Sequence, residues 1–187
     1  EQTLQDDGSD PDDDETEPNW WFGIRRKMRE PLAEWLGTMV MVLMGVCGNL
    51  QVKTSQNQAG SFSQSAAMWG LGTMMAIYVA GGVLGNPMVS INLSVFRDFP
   101  ARKAVIYICS QILGAICAVW IAYGIYKDAI LSIDPQTTAD QSPTSTGTAF
   151  FTLPAPFASI PTAFMTDFTL AAVMSGVVLA IGDDTNQ

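Results

Sequence analysis

The side chains that carry most covalent chemistry are scarce in this chain. It contains no histidine, and Cys47, Cys109 and Cys117 stand inside apolar runs without the paired spacing of a zinc site or a disulfide framework. They read as small residues buried in an apolar setting. No nucleophile motif or metal-ligand cluster offers an enzymatic reading, and Asp183-Asp184 reads as a solvated helix end. No catalytic residue, cofactor, metal or nucleic-acid partner is expected. The polar residues that stand out do so by their surroundings. Glu34 and Asp167 each interrupt a run apolar enough to cross a bilayer. An acid at such depth costs about 2.5–3.5 kcal/mol on insertion scales, so each needs a partner. Asn86-Pro87 heads a short apolar stretch, pairing a favoured N-cap with a proline at the first helical position, where its missing amide hydrogen costs nothing. Such groups hold and guide by hydrogen bonding.

The elements that must position them follow from hydrophobicity. Of 187 residues, 48% are hydrophobic and only 14% charged. A hydrocarbon core about 30 Å thick needs roughly 20 apolar residues in a helix. Four segments qualify: Pro31 to Leu50, Ala66 to Leu84, Ala104 to Tyr126 and Phe164 to Ile181. They are apolar nearly all round, where helices of a water-soluble bundle would each keep a polar face. The chain is therefore read as an integral, multi-pass, all-α membrane protein.

Charge placement orients it. The formal net charge is −9, and nine of the eighteen acids fall within the first seventeen residues. Residues 1–19 read as a disordered acidic tail without an assigned role, and residues 20–187 as the membrane domain. Arg25, Arg26, Lys27 and Arg29 precede the first span, and Arg97, Arg102 and Lys103 the third, whereas the other two loops hold only Lys53 and Lys127. By the positive-inside rule the N-terminus and second loop are cytoplasmic, with Trp20, Trp21 and Phe22 at headgroup level. Lys127 to Thr162, rich in Ser, Thr and Pro, becomes a long extracellular loop.

Between the second and third spans lies Pro87 to Phe96, PMVSINLSVF. Ten helical residues cover about 15 Å, half a membrane. The stretch predicts a re-entrant half-helix, although Asn-Pro by itself also starts ordinary surface helices. Irregular backbone at membrane depth survives only when buried in protein or lining a water-filled cavity. A half-helix there also aims its positive dipole end at mid-membrane, which repels cations. Glu34-Trp35 and Asp167-Phe168 occupy similar places near the starts of their spans, consistent with two inverted repeats and a permeation site between them.

Five stretches resemble the major intrinsic protein (aquaporin) family, in particular its glycerol-facilitator branch. Ala33-Glu34-Trp35-Leu36-Gly37-Thr38 is similar to the first-span motif, and Trp69-Gly70-Leu71-Gly72 with Met75-Ala76-Ile77-Tyr78 to the glycerol-type second span. Asn86-Pro87-Met88-Val89-Ser90 resembles the Asn-Pro-Ala box, and Ser110-Gln111-Ile112-Leu113-Gly114-Ala115 the third span. Phe151-Thr152-Leu153-Pro154, Asp167 and Gly182-Asp183-Asp184 resemble the long outer loop and fourth span.

The resemblance implies an aquaporin-like helical bundle, here incomplete, with four transmembrane helices and one re-entrant half-helix. It implies passive passage of glycerol, other small polyols and water through a homotetramer in the plasma membrane. Asn86 would hold its half-helix with the side-chain carbonyl and offer amide hydrogens to a passing hydroxyl. Trp69 matches the aromatic of the narrow outer constriction, and Asn86, Pro87 and Met88 are the other expected pore and selectivity residues. Without the family match Trp69 reads as a buried packing residue. Glu34 and Asp167 match the paired acids that accept hydrogen bonds from re-entrant backbone, and Gln111 reads as interhelical glue rather than a pore group. Three departures stand out. Met88 replaces a small alanine. Gly82-Val83-Leu84-Gly85 leads into Asn86 about three residues short, without the family's histidine. Asp167 replaces glutamate. The second Asn-Pro-Ala box and the constriction arginine do not occur before Gln187. The chain is thus expected to be a piece of a longer protein that does not conduct alone, or, as the rival reading, a non-conducting partner of a full-length channel.

Overall fold

A computed structural model describes residues 20–81, 85–138, 140, 142 and 144–183. The acidic tail, Val83 and Leu84 at the end of the second expected span, and Asp184 lie outside the described residues. Five α-helices account for most of the rest: α1 Trp20–Thr54, α2 Phe62–Ala80, α3 Pro87–Phe96, α4 Ala101–Ile133 and α5 Ile160–Ile181, with a short 3-10 turn at Gly147–Ala149. Among the described residues, α1, α4 and α5 are long and apolar enough to cross a membrane by length and composition.

The observed helices differ from the expected spans at their ends. α1 begins at Trp20 and carries Pro31 in its interior, so the basic cluster belongs to the same helix as the first span. α2 starts at Phe62, because Ser61 Oγ accepts from the Gln64 amide as an N-cap. It stops at Gly81, which takes φ 70°, a left-handed conformation favoured by glycine. With its polar first turn, α2 falls short of that combination of length and apolar character among the described residues, yet it lies along α1, with Gly72 against the Met41 carbonyl. α4 runs through Lys127 to Ile133, and α5 starts at Ile160 on the Ser159 cap. The outer loop is correspondingly shorter than Lys127 to Thr162. α3 occupies the expected Pro87–Phe96, capped by Asn86.

Small residues set the packing. The buried positions of α4 are Ala104, Tyr107, Gln111, Gly114, Ala118, Ala122 and Ile130, spaced by threes and fours up to Ala122 and by two turns to Ile130, along one stripe that faces α1. Such stripes let backbones approach closely where no hydrophobic force separates helix from lipid. A β-carbon added at Gly114 would stand 2.3 Å from the Trp35 carbonyl oxygen. α5 buries none of its residues. It is held at its far end, where Arg97 Nη2 donates to the Leu179 carbonyl at 3.2 Å and to Asp183 at 3.0 Å.

The outer loop folds around Asp134. Its Oδ2 accepts from the amides of Thr138 and Thr146, both at 2.8 Å, and from the Thr146 hydroxyl at 2.9 Å. The amide of Thr146, then that of Thr138, hold the Asp134 carboxyl below the usual carboxylate range. A depressed folded pKa means the stabilisation is present above the unfolded value, about 3.9, and is lost as pH falls through the folded one. The protection factors of the Thr138 and Thr146 amides, exchange relative to the unstructured rate at the same pH, are therefore expected to stay high from neutral pH down to about 4 and to fall as pH drops further. In Asp134→Ala protection should be low at every pH, and pH-independent protection in the unmutated protein would contradict this loop architecture.

Candidate pore site

The depth of the half-helix can be read from α4. Gln111 stands ten residues beyond Ala101, about 15 Å up that helix. Gln111 Nε2 donates to Glu34 Oε2 at 2.9 Å and to Ser90 Oγ at 3.1 Å, so it bridges α1 and α3. Glu34 Oε2 also accepts from the Gly85 amide at 3.0 Å. Gly85 takes φ 60°, the left-handed turn by which the chain enters α3. The start of α3 thus stands about half a hydrocarbon thickness above the base of α4, and α3, ten residues long, returns over that distance.

Glu34, Gln111 and Ser90 are nearly inaccessible, at 3%, 1% and 0% exposure, so each bond between them stands in place of a lost hydration contact. Asn86 is half-buried. Its Oδ1 accepts from the Met88 amide at 2.9 Å, and its carbonyl accepts from the Ser90 amide at 3.2 Å. The side-chain oxygen is spent on the helix cap. Among the described residues its amide nitrogen donates to nothing. Pro87 occupies the first turn without an unmet donor. Met88 is turned toward α5, where Ser175 Oγ lies 3.3 Å from its sulfur.

Trp69 lies on α2, half-buried, its indole against Gly45 of α1 so closely that a β-carbon there would meet Cδ2 at 2.2 Å. Its Nε1 donates to Asn49 Oδ1 at 3.3 Å. Asn49 also accepts from Ser65 Oγ and donates through Nδ2 to the Ala149 carbonyl of the outer loop at 2.9 Å. Sequence reasoning passed over Asn49 and Ser90. The available signal was a polar side chain within an otherwise apolar span, for which a partner is required. Asp167 is exposed on α5, beside a shallow cleft formed with Thr152, Pro154 and Ala158. Among the described residues no hydrogen bond joins it to re-entrant backbone, and the structure does not bring it to Glu34.

A short polar-headed helix, anchored by a buried acid, is accompanied by a family match. The sequence profile of the major intrinsic protein family matches residues 24–187. The chain belongs to that family. This major intrinsic protein is an integral, multi-pass membrane protein whose helices carry the family's aquaporin-like fold. It is 40% identical over 176 residues to the aquaglycerol porin AQY3 of Saccharomyces cerevisiae, covering 91% of this chain and 27% of that protein. A probable aquaglyceroporin-4 of Gibberella zeae is 38% identical over 175 residues, covering 90% and 31% respectively. The glycerol uptake facilitator protein of Pseudomonas aeruginosa is 33% identical over 161 residues, 83% of this chain and 57% of the bacterial protein. The chain therefore spans between about a quarter and just over half of these relatives' lengths.

Proposed function

We infer that this chain supplies one half of the wall of a passive channel for glycerol, other small polyols and water. The observation that carries the reading is Asn86 at the head of α3, whose side-chain oxygen is committed to the helix cap while its amide nitrogen donates to nothing among the described residues. In this reading a passing hydroxyl accepts from that amide. The positive end of α3 disfavours cations, and transport runs downhill without a cofactor or covalent step. Glu34 sets the position of Gly85 and hence of Asn86. Trp69 offers the uncovered part of its ring to the carbon backbone of the polyol. Pro87 and Met88 line the next level, and Asp167 awaits backbone of the second half of the pore. Relatives named as an aquaglycerol porin and a glycerol uptake facilitator support the permeant. The basic residues in the first part of α1 and around the start of α4 support a cytoplasmic N-terminus, with residues 1–19 as an acidic tail and 20–187 as the membrane part. Assembly as a homotetramer in the plasma membrane belongs to the same proposal.

The test is size discrimination in the full-length protein. Trp69→Ala is expected to let five- and six-carbon polyols enter proteoliposomes several-fold faster relative to glycerol, measured by isotope uptake. Trp69→Phe should fall between. If Trp69→Ala lowers thermal stability and leaves the size cut-off unchanged, Trp69 is a packing residue of the α1–α2 seam.

A further inference from the structure

We propose that the first third of α1 is a binding site for anionic phospholipid headgroups, distinct from the permeation path. Trp21, Ile24, Met28 and Leu32 recur at steps of three and four and are all exposed, forming one apolar stripe. Arg25 and Arg29 run beside it as a second row, and together the two rows line a shallow groove. At about 100° per residue this face points away from the side of α1 that carries buried Glu34, Gly37 and Thr38. It therefore looks away from the bundle, toward lipid.

Among the described residues no ion pair neutralises the charge on this face. The two ion pairs among the described residues join Lys103 to Glu30 and Arg97 to Asp183. Neither uses Arg25, Arg26, Lys27 or Arg29. Glu30, the acid within the cluster, is taken up by Lys103 at 2.9 Å and by the Tyr107 hydroxyl at 2.6 Å on the α4 side. Arg25 and Arg29 thus remain beside the apolar stripe, with Arg26 and Lys27 on the same turns of the helix. Length places them correctly. α1 has 35 residues, about 52 Å of helix, against a hydrocarbon core of about 30 Å. Arg25 lies about 10 Å of helix before Leu32, comparable with the headgroup layer on one side of a bilayer. The arrangement combines acyl-chain contact with guanidinium–phosphate pairing, as in juxtamembrane basic segments that select phosphatidylserine-like lipids. Phosphatidylcholine offers the same phosphate but cancels it with choline. A cytoplasmic leaflet location rests on the orientation proposed above, whereas the lipid preference does not.

The experiment uses the purified full-length protein equilibrated in detergent with equal amounts of phosphatidylserine and phosphatidylcholine, with retained lipids counted by mass spectrometry. Phosphatidylserine should be enriched. Replacing Arg25, Arg26, Lys27 and Arg29 together by Gln should reduce that enrichment by at least the roughly fivefold expected of a single basic residue. The triple change Arg25→Lys, Arg26→Lys and Arg29→Lys should retain most of it, as should Arg102→Gln, which removes a basic residue elsewhere. Should the fourfold variant fail to fold, Arg25→Gln and Arg29→Gln singly should each lower enrichment about fivefold. Equal retention of both lipids by the unmutated protein would overturn the proposal. So would full enrichment in the fourfold or single Gln variants, an equal loss in Arg102→Gln, or displacement of phosphatidylserine by millimolar inorganic phosphate, which would mark a simple anion site.

Discussion

Gly114→Val is expected to prevent α1 and α4 from docking and to leave little monodisperse protein after extraction. The β-carbon alone would sit 2.3 Å from the Trp35 carbonyl oxygen and 3.2 Å from the Met39 amide nitrogen. These are backbone atoms, so no rotamer change relieves the clash and the two helices must move apart. Overpacking of a well-filled core commonly costs about 1–3 kcal/mol, and a clash against backbone falls at or beyond the upper end. Separation would also pull Gln111, one turn earlier on α4, from Glu34. Gly124→Val on the same helix is the control, because nothing lies within 4 Å of a β-carbon there. The measurement is the thermal midpoint and monodisperse fraction of the full-length protein. Gly124→Val should match the unmutated protein, and a Gly114→Val protein of normal stability would contradict the close approach of α1 and α4.

Glu34→Ala should have the next largest effect and should act on transport as well as stability. It removes the acceptor of the Gly85 amide and of one Gln111 Nε2 hydrogen. A buried donor left without a partner costs about 1–3 kcal/mol, so two give roughly 2–6 kcal/mol. Gln111 keeps its bond to Ser90, which favours the lower part of that range. Because Gly85 directly precedes Asn86, loss of its anchor releases the turn at the head of α3, and the proposed hydroxyl-binding amide goes with it. Glycerol flux of the full-length protein, followed by light scattering of vesicles, should fall further than the amount of folded protein does. Glu34→Gln keeps an acceptor oxygen at the same reach and should recover most of both losses. Flux that simply tracks folded protein in Glu34→Ala would make Glu34 a structural residue without influence on Asn86.

The local elements were legible where capping chemistry and apolar length coincide. α3 is the plainest case, since Asn86, Pro87 and ten apolar-biased residues each point to the same start and length. The front of α1 was not legible from hydropathy, because Arg25 to Glu30 interrupt the apolar window although nothing in Trp20–Glu30 prevents helix. α4 overran its expected end at Tyr126, because Lys127 and Asp128 read as a boundary while the backbone continued to Asp134. The Ser61 cap of α2 was present in the sequence, three residues before Gln64, and marks a start earlier than the apolar run does.

The site was legible in part and for a different reason. That Glu34 needed a partner follows from its apolar surroundings. The partners themselves, Gly85 and Gln111, lie 51 and 77 residues away, and no local rule connects them. The link from Trp69 through Asn49 to the Ala149 carbonyl spans 100 residues in its last step and depends on how α1, α2 and the outer loop meet. The family resemblance supplied Trp69, Asn86 and Glu34 as expectations, but the polar contacts around them required the packed helices.

The most direct test of the account concerns the depth and wetting of residue 86. In the full-length protein with Cys47, Cys109 and Cys117 replaced by Ala, Asn86→Cys would carry either a spin label or a small hydrophilic thiol reagent. Power-saturation spectroscopy should place the label near the bilayer midplane, and the water-soluble reagent should still react and block glycerol flux. A label in bulk solvent beyond the headgroups, or one at mid-depth that no aqueous reagent reaches, would mean that α3 neither turns back inside the membrane nor borders a water-filled path.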